Sequence, residues 1–136
     1  MDLYAENILE HYRNPRGKLP VLSPTVSHTE ENLSCGDAVT VQLVIRDGKI
    51  ESVGWDGTGC AISQAAMSML AEELPGMTVE AAESLTPQHI HDLLGVPIGP
   101  RRLKCALLAL HALKNALRIA KGEKVEGWLS VLSPED

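Results

Sequence analysis

The chain has 136 residues, 44% of them apolar but only 3% aromatic and none phenylalanine, with a formal net charge of −6 at pH 7. That length carries one domain with a real hydrophobic core and not two. The apolar fraction excludes a disordered chain, and the negative balance excludes a general nucleic-acid binder, which needs surplus cations for phosphate contacts.

The N-terminal stretch "MDLYAENILEHYRNP" carries Asp2 and Glu6 where a signal peptide carries positive charge. No stretch approaches a bilayer-spanning length, so the expectation is a soluble, cytoplasmic protein with no membrane partner. There the thiols stay reduced, and three cysteines, an odd number, do not make a disulfide framework.

In chain order, "LYAENILEHY" places Leu3, Ile8, Leu9 and Tyr12 on one helical stripe, and "RNPRG" stops it through Pro15 and Gly17. Residues 18–34 read as a loop with one short strand near "TVSHTE". From Ala38 to Arg46 the pattern alternates, with Val39, Val41, Leu43 and Ile45 on one face of a half-buried strand. Asp47-Gly48 marks a hairpin, because both central residues of a type I′ turn need positive φ. The return strand "KIESVGWD" puts Val53 and Trp55 on a shared face. A helix then runs from Ala61 with an apolar stripe of Ile62, Ala65, Ala66, Met69 and Leu70, and Pro75-Gly76 ends it. Two short helices follow, near Thr78 and Thr86-Pro87, the second with an N-cap threonine and proline at the first helical position. After the stiff "GVPIGP" loop, a long helix spans about Arg101 to Ala120 on a stripe of Leu103, Leu107, Leu110, Leu113 and Leu117. The domain is expected over 1–122, with a loose tail over 123–136.

The chemistry concentrates on the cysteines. Cys60 falls at a helix start, where unpaired N–H groups and the helix dipole stabilise a thiolate. Cys105 lies early in the last helix, off its leucine stripe, beside Lys104. Cys35 precedes Gly36 and Asp37, and the free backbone angles of glycine allow the thiol and carboxylate to aim at one point. Each residue alone also reads as an ordinary small or solvated residue. Together, three thiolates and one carboxylate make a set that zinc or iron accepts tetrahedrally. No CxxC spacing is present, so tertiary structure must assemble the site. His89 and His91 point apart and read as surface residues, His111 falls on a face separate from Cys105, and His11 and His28 have no suggestive neighbours. No Ser-His-Asp set and no nucleotide-binding glycine loop appears.

The ordered segments "LYAENILEHYRNPRG", "NLSCGD", "GTGCAISQAAMSML" and "RRLKCALLALHAL" resemble the iron–sulfur cluster assembly scaffold family of the IscU/SufU/NifU N-terminal type, over Leu3 to about Gly122. The resemblance implies an α+β fold in which a small antiparallel sheet of about three strands packs on a layer of helices, in a single domain. It implies a site of Cys35, Asp37, Cys60 and Cys105 holding a transient [2Fe–2S] cluster or Zn²⁺. It also implies a cysteine desulfurase as sulfur donor and apo iron–sulfur proteins as acceptors.

Lys104 stands where the IscU branch has a histidine, and "GCAIS" is nearer SufU. The 45-residue step from Cys60 to Cys105 lacks the insertion of SufU. "IGPRRLKC" replaces the proline-rich chaperone segment of IscU, which argues against docking of an Hsp70-type chaperone.

The leading reading is a cluster scaffold rather than a catalyst, with Asp37 as the harder, more labile fourth ligand. The alternative is a zinc-dependent sulfurtransferase with Cys105 as the persulfide acceptor. A structural zinc module is the third reading, which the aspartate argues against. The small basic cluster of Arg101, Arg102 and Lys104 could meet an acidic partner or simply face water.

Overall fold

The computed structural model describes residues 3–132, with side chains from Ala5 onward. The side chain of Leu3 and residues 133–136 therefore fall outside the described part. The elements in order are helix α1 (Leu3–Arg13), strands β1 (Val26–Asn32), β2 (Asp37–Arg46) and β3 (Lys49–Thr58), and helices α2 (Ala61–Glu73), α3 (Val79–Glu83) and α4 (Pro87–Leu94). A 3₁₀ turn (Pro100–Arg102), the long helix α5 (Leu103–Ala120) and a short helix α6 (Leu129–Leu132) complete them. The three strands form one antiparallel sheet in the order β1-β2-β3. The fold is α+β, as the resemblance implies. No helix among the described residues is long and apolar enough to cross a membrane.

The hairpin between β2 and β3 turns at Asp47 (φ 53°) and Gly48 (φ 73°), the two positive angles that a type I′ turn demands. Alternation along β2 sends Val39, Val41 and Leu43 inward, each fully buried. A register shift between Val44 and Ile45 interrupts the alternation, and Ile45 is only half-buried. Trp55 faces the same core from β3 and donates its indole N–H to the Arg16 carbonyl at 2.7 Å. Residues 19–21 cross the other face of β3 so closely that a Cβ on Gly54 would stand 2.9 Å from Val21 Cγ1. This is why a side chain is missing there.

Helix α5 lies across β1 and β2, α2 packs beside it, and α1 packs on α2. The interior of α5 is buried nearly all round, from Cys105 to Leu113, so its leucine stripe understates its contacts. In α1 the inward side is Ile8 and His11. Tyr12, assigned to the inner stripe from spacing, is 45% exposed. His11 takes that place because its Nδ1 bonds the buried Ser68 hydroxyl at 2.8 Å, a partner on α2 that no local pattern reveals.

Residues 126–132, read from the sequence as part of the tail, lie against α5. The wholly buried Asn115 grips the main chain of Glu126 twice, donating to its carbonyl oxygen and accepting from its N–H, each at 2.9 Å. Trp128 stacks on His111 with ring centroids 4.4 Å apart, and Val131 is 2% exposed. The chain doubles back along α5 because these groups complete its outer face.

Replacing Asn115 by Ala leaves the Glu126 backbone pair without its partner, which costs about 1–3 kcal/mol. The expected outcome is a matching drop in urea stability and faster tryptic cleavage after Lys124. Equal cleavage rates in the two proteins would refute this anchoring role.

Candidate metal centre

Three chain segments meet at one end of the molecule. The first is the turn joining β1 to β2, where Asn32 pairs with Asp37 in the strand register. The N–H groups of Cys35 and Gly36 both donate to the Asn32 carbonyl oxygen, at 3.2 and 2.9 Å. Gly36 sits at φ 73°, a conformation that favours glycine. The second segment is the entry to α2, with Cys60 as the residue before its first turn. The third is the entry to α5 after the 3₁₀ turn, which carries Cys105.

Cys35, Asp37 and Cys105 each offer a ligand atom, and the three atoms lie within 4.8 Å of one another. Cys105 Sγ is 3.4 Å from Cys35 Sγ. Cys60 stands beside this group rather than inside it, its Sγ 4.0 Å from Asp37 Oδ2 and 3.9 Å from Ser63 Oγ. Asp37 links the two halves, since its other oxygen, Oδ1, accepts the Cys60 backbone N–H at 3.0 Å. The carboxylate thereby caps the start of α2 from across the molecule.

Exposure is graded over the donors. Cys35 is exposed, Cys60 intermediate, and Cys105 and Asp37 buried at 3% and 2%. Burial, then hydrogen bonding with Asp37 and Cys35, pushes the Cys105 thiol well above the ordinary thiol range. Without a cation the thiol stays protonated, and a metal that binds must displace that proton.

The donor set fits a thiophilic metal. Two sulfurs on one tetrahedral zinc, each at about 2.3 Å, stand about 3.8 Å apart, so the observed 3.4 Å needs only a small adjustment. A buried carboxylate whose partners are one backbone N–H and two thiols also favours a cation beside it. Gly59 makes the close approach possible. At φ +146° it takes an angle that other residues rarely adopt, and a Cβ there would stand 2.8 Å from Asp37 Cγ and 2.9 Å from Ser63 Oγ.

A cleft of about 360 Å³ opens onto the centre, lined by all three cysteines, Asp37, Gly59, Arg101 and Arg102. Beside it, a hollow of about 290 Å³ places Leu132 and Lys104 next to Cys35 and Asn32. The four residues read from the sequence thus gather at one place, three in a tight group and Cys60 at its flank. Sequence reasoning missed Asn32, Ser63, Gln64 and Gly59. Ser63 lies three residues after Cys60, the spacing at which a side chain meets a helix N-terminus, and that was the available signal. The histidines stay outside: His89 pairs with Glu73, and His111, buried at 1% exposure, faces Glu30 with its Nε2 3.6 Å from Oε1.

Fold and site together define a small α+β protein that gathers three cysteines and an aspartate at one end, a group that could hold a metal ion. The model of the NifU-like N terminal domain matches residues 3–126, and the chain belongs to that family. A relative from Bacillus subtilis, a zinc-dependent sulfurtransferase SufU, is 30% identical, covering 88% of this chain and 92% of its own. The iron–sulfur cluster assembly scaffold protein IscU of Azotobacter vinelandii is 33% identical, covering 89% and 96%. The crystal structure of a protein from Fervidobacterium islandicum, described as an iron–sulfur cluster assembly scaffold for the SUF system, superposes with a TM-score of 0.73 at 26% identity. It covers 82% of this chain and 94% of that one.

Gly59→Ala is expected to push Asp37 out of place, cost about 1–3 kcal/mol of stability and weaken metal binding about tenfold or more. Urea melts and competition with a chromophoric chelator measure both, and unchanged metal affinity would contradict the tight-fit account.

A second expectation concerns pH. The folded protein keeps the Cys105 proton above the ordinary thiol pKa, about 8.5, where the unfolded chain releases it. Stability of the metal-free protein should therefore fall as pH rises from about 8 to 10. Cys105→Ala should flatten that slope in thermal melts; a slope unchanged by the substitution would refute it.

Proposed function

We propose that the chain is a scaffold for iron–sulfur cluster assembly, on which Cys35, Asp37, Cys60 and Cys105 hold a transient [2Fe–2S] cluster as cargo. The observation that carries this reading is the pairing of donors. Cys35 and Cys105 form one pair at 3.4 Å, and Asp37 and Cys60 form a second at 4.0 Å. A [2Fe–2S] unit needs two protein ligands on each iron, and two neighbouring pairs meet that need. An oxygen ligand binds cluster iron less firmly than a thiolate does, so Asp37 is the ligand whose loosening lets the cargo leave.

Sulfur is supplied as a persulfide by a cysteine desulfurase. The exposed Cys35 is the thiol that a donor reaches first. Its thiolate attacks the outer sulfur of the donor persulfide, and the donor cysteine leaves as thiolate. Cys105, 3.4 Å behind, then accepts the same sulfur while Cys35 leaves in turn. Each transfer exchanges one S–S bond for another, so no electrons are gained or lost. Apo iron–sulfur proteins are the receivers of the finished cluster.

A second reading is favoured by the tight triad of Cys35, Asp37 and Cys105, whose ligand atoms all lie within 4.8 Å. That is the span of a single ion. Zinc held there, with Cys60 as fourth donor, would keep the thiols deprotonated, and the sulfur transfers just described would make the chain a sulfurtransferase. Lys104, at the position where the IscU branch has histidine, agrees with this version.

Anaerobic incubation with iron, cysteine, a desulfurase and a dithiol reductant, which supplies the two electrons that turn each persulfide sulfur into sulfide, followed by repurification, separates the two. The scaffold reading expects about two irons and two acid-labile sulfides per site with visible charge-transfer absorption. Stoichiometric zinc with stimulated desulfurase turnover and no bound iron would replace it by the second reading. Asp37→Ala is expected to slow cluster transfer to an apo acceptor about tenfold, because the labile oxygen ligand is gone; transfer at the wild-type rate would count against the role given to Asp37.

A further inference from the structure

Asn32 ends β1 in a place where a polar side chain needs a reason to be. It is 2% exposed, and hydrogen bonds to Cys35 and Gly36 already occupy its carbonyl oxygen. Its side-chain amide points at the metal centre, with Nδ2 3.8 Å from Cys105 Sγ. Asn32 is also the cross-strand partner of Asp37. One residue therefore touches the loop that carries Cys35, the strand that begins with Asp37 and the sulfur that comes from α5.

We propose that Asn32 is a positioning residue of the centre: its main-chain carbonyl oxygen holds the Cys35 turn while its side-chain amide N–H donates to the Cys105 sulfur, so that the side chain sets the orientation and the electron density of that sulfur beside Cys35. The proposal rests on the reading of Cys35 and Cys105 as ligands.

Three physical arguments support it. An N–H donor 3.8 Å from the Cys105 sulfur is placed to form a charge-assisted bond when that sulfur is a metal-bound thiolate. Hydrogen bonds to ligating sulfurs withdraw electron density from the metal–sulfur bond and shift its electronic properties. An amide buried to this extent without a partner would cost more than its bond to sulfur contributes, so the side chain has little freedom to point elsewhere. Pro100, Leu103 and Leu132 line the hollow beside it.

Aspartate and leucine test the side-chain donor alone, because both approximate the volume of asparagine and the backbone bonds to Cys35 and Gly36 remain available in each. The first measurement needs no metal. In ¹⁵N-labelled metal-free protein, the Asn32 side-chain amide is expected to exchange slowly with solvent and to change shift in Cys105→Ala. Free-amide exchange and no response to that substitution would overturn the proposal.

The second measurement uses Co²⁺ as the probe in place of the native metal. Asn32→Leu removes the N–H donor, so the sulfur-to-cobalt charge-transfer bands should move to longer wavelength and Co²⁺ affinity should fall about tenfold. Asn32→Asp should weaken Co²⁺ binding less, since its carboxylate adds attraction for the cation while losing the donor. Bands that stay in place in Asn32→Leu, in a variant whose far-UV circular dichroism and melting match wild type, would overturn the role. If wild-type protein shows no sulfur-to-cobalt bands at all, the ligand assignment fails, and the amide-exchange result still decides the Asn32–Cys105 contact by itself.

Discussion

The Asp37 carboxylate is the joint on which the metal centre is built. One oxygen takes the backbone N–H at the start of α2, and the other faces the thiol of Cys60. A single hydrogen bond to a charged group is worth about 1.5–3 kcal/mol, whereas taking a carboxylate out of water costs several. The buried carboxylate is therefore left with an electrostatic deficit, which on the proposed reading a cation shared with the neighbouring sulfurs would offset. Gly59 must lack a side chain because any Cβ would displace the carboxylate.

That deficit is confined to one end of the molecule. The interior beneath it is closed by Val39, Val41 and Leu43 from the sheet and by Leu107, Leu110, Leu113 and Leu117 from α5, all at 1% exposure or less. Burial of such side chains contributes about 1.5–3 kcal/mol each before the entropy of ordering is set against it. A core of this kind folds without metal, unlike a zinc finger, whose folding energy is its binding energy. On the proposed reading, such a core would let the occupant of the site come and go without unfolding the domain.

The parts of this arrangement that were legible in the sequence are those that local rules control. Alternation along 38–46, the Asp47-Gly48 turn, and the threonine caps at Thr78 and Thr86 each follow from one stretch of chain, and each element stands where its pattern places it. The gathering of Cys35, Asp37, Cys60 and Cys105 was legible only as a resemblance, because no spacing rule makes residues 70 apart converge. What stayed hidden depends on partners from distant elements. His11 is inward because Ser68 is there to receive it. Asn115 is buried because Glu126 returns to it. Asn32 looks like an ordinary turn residue until α5 brings a sulfur to its amide.

The placement of Cys60 bears on how one architecture suits two kinds of cargo. Its backbone is fixed by Asp37, but its thiol is held only by long contacts to Asp37 and Ser63. Ser63 already donates to the Cys60 carbonyl and accepts from Gln64, so its hold on the sulfur is weak. Rotation of one side chain toward the Cys35–Cys105 pair would close a four-donor shell around one ion. The thiol kept on the Asp37 side instead leaves two pairs, suited to two irons. On either proposed reading Cys60 is the adaptable donor, because it combines a backbone fixed by Asp37 with a loosely held thiol.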